Sequence, residues 1–499
     1  MAMLSSAFER AMASFYTWNG ATSLSTPDIS GKTDGRLSLF FKSTRGISED
    51  KLYEYLQKSS EEDLVDTFIL SFQTRDPRGG KGERTIGRQM FQWLFKNYPD
   101  KFQKVYQLIP EYGRWDDLIT LFEDKSNEKI QIDILKFFAY QLRKDRENML
   151  KGSPISICAK WAPSEGDSDD KKYKIVDLLC TELNITKKEY RKQYLSPLRA
   201  YLKVVETFMC SNRWDEIEYS KVPSCAMKKL KKAFEKHSPE LFADWKNRLS
   251  KGEVKVNAKV LHPHELVREI RTKGSADEVA EAQWKVLEDE IENLGVLEDA
   301  VVVVDTSGSM ESPNYLPLDI AVAMGLIISK FVKGPFQHNV ITFNTTPQFV
   351  KICNGTLYER FTQIRNIPWG GSTNLQSTFE LILNRAKQYN LKDEDLPKRL
   401  FIISDMQFNS IDYGQLTNFQ AIDKMYKDSG YTRPQIVFWN VNGQSTDFPV
   451  SADDNGTCLV SGASPVILDA IIRTKNFNSY DVLRTALDSE RYKQIKTLL

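Results

Sequence analysis

Two hydrophobic textures divide the chain near residue 295. Upstream, large apolar side chains recur three and four positions apart between short polar breaks. Leu52-Tyr53-Tyr55-Leu56, Phe91-Trp93-Leu94-Phe95, Ile134-Leu135-Phe137-Phe138-Leu142 and Leu198-Tyr201-Leu202-Val205 show the pattern. That spacing gathers apolar groups on one helical face, and β-branched alternation is scarce, so residues 1–295 read as α-helical. Asp76-Pro77-Arg78-Gly79-Gly80 and Pro163-Ser164-Glu165-Gly166-Asp167 separate the helices. The segment Gly113-Arg114-Trp115-Asp116-Asp117-Leu118 returns as Asn212-Arg213-Trp214-Asp215-Glu216-Ile217. Helix pairs stacked as a HEAT-like solenoid give such an echo, and so does an irregular bundle with two similar turns.

Downstream, short buried strands alternate with amphipathic helices. Ala300–Val304, Asn339–Phe343, Arg399–Ile403 and Gln435–Trp439 read as strands, and Leu318–Val332, Leu375–Tyr389 and Asn418–Lys427 as helices. Such alternation predicts right-handed crossovers and a doubly wound parallel sheet, so residues 296–499 form a Rossmann-like α/β domain. Ligands of such sheets lie at the carboxyl ends of the strands, near the topological switch.

Composition narrows the function. A chain of 499 residues exceeds a single core, and its 41% hydrophobic and 27% charged residues are ordinary globular values. A net charge of +1 excludes a globally basic nucleic-acid coat, so any anion surface is a local patch. Six scattered cysteines (Cys158, Cys180, Cys210, Cys225, Cys353, Cys458) form no CxxC pair. The N-terminus lacks a basic segment followed by an unbroken apolar run, and no stretch approaches 18 apolar residues. These features predict a soluble cytoplasmic protein without membrane association.

Candidate chemistry concentrates at the ends of the predicted strands. Asp305-Thr306-Ser307-Gly308-Ser309 offers one carboxylate and two hydroxyls at i, i+2 and i+4. Hard oxygen donors suit Mg²⁺, with Mn²⁺ or Ca²⁺ as alternatives, and not Zn²⁺. A serine-rich turn capping the next helix is the other reading of that segment alone. Two further loops reach the same sheet edge: Gly370-Gly371-Ser372-Thr373-Asn374 adds the Thr373 hydroxyl, and Ser404-Asp405 adds a second carboxylate. Two carboxylates leave a dication partly uncompensated, so it would keep waters or take a carboxylate from a partner. Phosphotransferases place a second aspartate two residues after the first; Ser307 stands there, and no G-x-S-x-G elbow occurs. The chain is therefore expected to recruit rather than to catalyse.

Basic residues supply a second set of candidates. Arg75, Arg78, Lys81 and Arg84 surround two glycine pairs, where backbone amides opening a helix could add donors for phosphate. Pairing of these cations with acidic neighbours is the alternative. Lys228, Lys229 and Lys232 form a cationic run on a helix that could track phosphates, or form an ordinary solvated face. His262-Pro263-His264-Glu265 reads as a turn and helix cap rather than a metal site.

DxSxS, the threonine of a GGST loop and the aspartate of a strand-end ISD together resemble the metal-ion-dependent adhesion site of von Willebrand A domains. On these motifs the resemblance implies a metal held by Asp305, Ser307, Ser309, Thr373 and Asp405. Arg78-Gly79-Gly80-Lys81-Gly82-Glu83-Arg84 and Tyr112-Gly113-Arg114-Trp115-Asp116-Asp117-Leu118 resemble the TROVE module of Ro ribonucleoproteins, a ring of helical repeats preceding an A domain. Lys160-Trp161-Ala162-Pro163-Ser164, Pro263-His264-Glu265-Leu266-Val267 and Asp405-Met406-Gln407-Phe408 are similar to an uncharacterised TROVE-like/A-domain family of plants, fungi and large DNA viruses. The resemblance implies binding of small structured or single-stranded RNA by the helical region. The other implied partner is a protein that supplies an Asp or Glu to the metal.

Overall fold

A computed structural model describes residues 34–258, 260–293, 295, 297–343, 347–366, 375–408, 418–445, 449, 456–474 and 477–499. Contacts divide the chain into two units that are interleaved along it. One comprises Met1–Leu64 and Ala258–Ser489; the other comprises Val65–Asn257 and Glu490–Leu499. This division differs from the expected cut at 295/296, because helices Gly35–Lys42, Pro263–Lys273 and Glu278–Glu292 join the unit of the sheet and Glu490–Leu499 joins the helical unit. No helix among the described residues is long and apolar enough to cross a membrane.

The first unit is built on a six-stranded mixed sheet. Its strands are β1 (Ala300–Asp305), β2 (Asn339–Phe343), β3 (Gln348–Lys351), β4 (Arg399–Ser404), β5 (Gln435–Asn440) and β6 (Thr457–Ser461), in the order β3-β2-β1-β4-β5-β6. All neighbours are parallel except β3, which runs antiparallel beside β2 at the edge. The four strands read from the sequence occur where expected, each within a residue. β3 and β6 were not anticipated. β3 is four residues long and only partly covered, so it carries neither an apolar run nor a clean alternation. The two-residue pair Leu297–Glu298 and Val332–Lys333 forms a separate parallel bridge.

β1 is Ala300-Val301-Val302-Val303-Val304-Asp305, buried at every position. A strand covered on both faces needs helices on both, and β-branched valines pack well there. Leu316–Phe331 supplies one cover, with Gly325 lying so close to Val304 that a Cβ would stand 2.3 Å from its Cγ2. Helix Gly35–Lys42 covers the far edge: Ser461 Oγ donates to Phe40 O at 3.0 Å and Lys42 Nζ to Ser445 O at 2.8 Å. Helix Pro263–Lys273 is fastened by Arg268 Nε and Arg271 Nε, which donate to the two oxygens of buried Asp319 at 3.0 and 2.8 Å.

The second unit is helical, its longest element being Glu128–Leu150. The two Arg-Trp-Asp segments differ in structure. Trp115 is buried and opens a helical turn, with Trp115 stacked on Phe137 at 4.8 Å. Trp214 lies in a short 3-10 turn among exposed residues and stacks on His237. Buried Asp117 accepts from Arg75 Nε at 2.7 Å, Arg88 Nε at 2.6 Å and the Arg114 amide at 2.9 Å. Asp117→Ala leaves these guanidinium groups without their shared counter-charge. Removal of one partner from a buried charge network costs about 3–5 kcal/mol. Urea unfolding followed by helical circular dichroism should show a loss of that order, and an unchanged midpoint would assign the network no stabilising role.

Candidate functional site

The first unit brings two predicted loops together at the switch point of its sheet. β1 and β4 are adjacent, with Val304 level with Ile403, so the residues leaving their carboxyl ends share one place. The chain leaves β1 toward β2 and β4 toward β5, on opposite sides, so these carboxyl ends form the topological switch point at which such sheets bind ligands. Asp305 ends β1 and Asp405 follows β4 directly.

Both carboxylates are buried, Asp305 at 0% and Asp405 at 1% exposure. Asp305 Oδ1 accepts from the Ser307 amide at 2.9 Å, which curls the loop back over the strand end. Its Oδ2 accepts from the Ser404 hydroxyl. Asp405 Oδ1 accepts from the Gln407 amide at 3.2 Å, while buried Oδ2 has no hydrogen-bond partner among the described residues. Ser307 Oγ and Ser309 Oγ lie 3.1 Å apart, and the Ser309 hydroxyl also reaches Asp405. Ser309 is half-buried and Gly308 exposed, so the group opens to solvent along this loop. Met406 takes a left-handed conformation (φ +65°) and reverses the chain immediately after Asp405. A branched or bulky residue in that region is strained, and strained backbone concentrates at functional sites.

Burial, then the charge of Asp405, pushes the Asp305 carboxyl up to about 7. Burial also raises Asp405. No lysine or arginine among the described residues pairs with either group. Ser404 is the site member that sequence reading overlooked as a contact. The adjacency of β1 and β4 reveals it, because that alone points its hydroxyl at Asp305. Thr373 lies outside the described residues, as does Trp369 beside it.

The basic candidates are not brought together as a phosphate-binding loop. Arg75 is 3% exposed and committed to Asp117; Lys81 is 1% exposed. Neither presents its charge to solvent, which corrects the expectation for both. The amides of the glycine turn are also engaged. Gly80 and Gly82 N donate to Asp76 O, Lys81 N to Gln73 O and Glu83 N to Thr74 O, at 2.8–3.2 Å. A Cβ at Gly80 would stand 1.9 Å from Gln73 O, which explains that glycine as a close backbone crossing. The C-terminal segment holds the turn: Arg491 Nη2 donates to Asp76 Oδ1 at 2.8 Å and Tyr492 OH to Gly79 O at 3.0 Å. Arg84 is exposed and makes a 3.4 Å contact with Asp116, while exposed Arg78 donates to Glu111 O at 3.1 Å. Lys229 and Lys232 are exposed on helix Ser224–His237 and Lys228 is half-buried. His264 starts a helix as expected; it is buried and takes a hydrogen bond from Arg45.

Two sequence families cover most of the chain. Residues 111–297 match the Domain of unknown function (DUF2828), and residues 299–497 match the Domain of unknown function (DUF7788). Uncharacterized protein L728 of Acanthamoeba polyphaga mimivirus is 32% identical over 485 residues, spanning 91% of this chain and 84% of that protein. The chain belongs to the same family as this viral protein. Asp305 and Asp405 fall within the DUF7788 match, and the Arg114–Asp117 segment within the DUF2828 match.

Burial pushes Lys81 down to about 7, opposed by the nearby charge of Glu83. An unfolded lysine titrates near ~10.4. Between those values the unfolded chain holds one proton more than the folded chain, so stability should rise with pH from about 7 to about 10. Lys81→Met should remove that rise in urea titrations at pH 7, 8 and 9. Equal slopes in both proteins would place the dependence on another group.

Proposed function

We propose that this protein is a non-catalytic, cytoplasmic docking protein whose α/β unit is a von Willebrand A-type module that binds a partner through a divalent cation. The observation that carries this reading is the pair of buried carboxylates at the switch point, Asp305 and Asp405, with no cationic side chain among the described residues bonded to either. Two like charges in a desolvated site repel, and a dication relieves the repulsion that protonation would otherwise have to relieve. The unpartnered Asp405 Oδ2 fits a metal ligand, as does the acceptor-rich set of Asp305, Ser307, Ser309 and Asp405. Thr373 completes the set in the family pattern. Hard oxygen donors favour Mg²⁺, and Mn²⁺ or Ca²⁺ suit the same chemistry.

When bound, the metal would supply Lewis acidity toward one more oxygen ligand. A coordination shell rich in neutral hydroxyls, with only two carboxylates, would leave the dication partly uncompensated, so a partner's Asp or Glu carboxylate would make a strong additional ligand. The strand order β3-β2-β1-β4-β5-β6 with an antiparallel edge strand supports the A-domain reading. Exposed Arg78, Lys229 and Lys232 support a second reading, in which the helical unit, as a HEAT-like TROVE relative, binds structured or single-stranded RNA.

Titration with Mg²⁺ after EDTA treatment tests the first reading. The melting temperature should rise saturably, and Asp305→Ala or Asp405→Ala should abolish the rise. An unchanged shift in both variants would overturn the metal assignment. For RNA, Lys229→Glu with Lys232→Glu should weaken a salt-sensitive association; indifference to both salt and charge reversal would remove those residues from it.

A further inference from the structure

A second feature of the α/β unit lies at the opposite end of its sheet. β4 runs from Arg399 to Ser404, so about five residues, or ~17 Å of strand, separate its amino end from the carboxylate site. Around the amino ends of β4 and β5 opens a cleft of about 1010 Å³. Four cations line it: Lys392, Lys398, Arg399 and Arg433. Three have acidic partners. Lys398 Nζ lies 2.7 Å from Asp299, Lys392 3.4 Å from Glu394, and Arg433 Nε 3.4 Å from Asp423.

Arg399 differs. It is half-buried, and no carboxylate pairs with it among the described residues. Its Nε and Nη2 donate to the neutral Gln435 Oε1 at 3.4 and 3.2 Å, and its guanidinium stacks on Phe477 at 4.5 Å. The backbone of Arg399 is held in the β1–β4–β5 ladder, level with Ala300 and Gln435. Burial lowers its pKa, which records an incompletely compensated charge. A guanidinium fixed by a sheet, flattened against an aromatic ring and lacking a counter-ion is pre-organised for a planar or tetrahedral oxyanion. The cleft volume is at the upper end of the range for small-molecule sites, and its acidic rim, including Glu298 and Asp393, discourages polyanions.

We propose that this cleft binds a small organic anion, with a single phosphate or carboxylate group seated on Arg399. The site is independent of the metal: it uses the amino ends of the strands, and none of its residues belongs to the carboxylate group at the switch point.

Thermal melting of the full chain in EDTA, at constant ionic strength, tests this with inorganic phosphate in one series and succinate in another. A saturable rise with one probe identifies the preferred oxyanion. Arg399→Gln should weaken that response at least tenfold, Arg399→Lys should keep part of it, and Asp305→Ala should keep all of it. Absence of a saturable rise with both probes would overturn the proposal. So would an equal response in Arg399→Gln. If Arg399→Gln fails to fold, a response in Arg399→Lys identical to that of the parent protein overturns it too, because lysine cannot reproduce the fork.

Discussion

The α/β unit depends on the parallel pairing of β1 with both of its neighbours. A strand of five consecutive aliphatic residues, paired on both edges, exposes nothing to water and must be covered above and below. Covering the whole sheet takes helices from both near and distant stretches of sequence. Leu316–Phe331 follows directly, whereas Gly35–Lys42 arrives from the other end of the chain to sit by β6. The same pairing makes β1 and β4 neighbours whose connections leave in opposite directions. A crevice at their carboxyl ends follows from topology alone.

Charge burial then distinguishes the regions of the molecule. Many buried acids meet arginine or lysine, although Asp145 and Asp170 meet only hydroxyl and amide donors among the described residues. Asp319 takes two arginines, Glu288 takes Lys330 and Arg360, and Asp117 takes Arg75 and Arg88. These networks offset the cost of desolvation locally and hold helices in register. Asp305 and Asp405 differ in being two acids close enough for the charge of one to raise the other, with only hydroxyl and amide partners among the described residues. Arg399, at the opposite end of the sheet, is a half-buried cation that donates to the neutral Gln435. Two neighbouring buried carboxylates without a cation, and a half-buried guanidinium without a carboxylate among the described residues, are the physical basis of the two proposed sites.

The helical unit shows how a sequence motif can mislead about its role. Clustered arginine, lysine and glycine suggest a phosphate loop, yet the turn at 76–83 uses its amides internally and buries Lys81. Its glycines permit a close crossing over Gln73, and its charges fasten helices and the returning segment at Arg491. Cations near glycine serve packing as readily as binding, and only the positions of the carboxylates decide between them.

The sequence by itself determined the elements whose pattern is local. Strands buried on both faces appear as valine and isoleucine runs, amphipathic helices as 3.6-residue periods, and Asp305-Thr306-Ser307-Gly308-Ser309 as a hydroxyl-rich turn at a strand end. It also marked Asp405 as a carboxylate leaving another strand. Tertiary structure alone decided what those residues meet, because contacts far apart in sequence leave no periodic trace. It set Ser404 against Asp305, took Arg75 out of solvent to meet Asp117, and returned Arg491 to Asp76 across 415 positions. It also drew the unit boundaries, since a short helix such as Gly35–Lys42 carries the same pattern whichever core finally buries it.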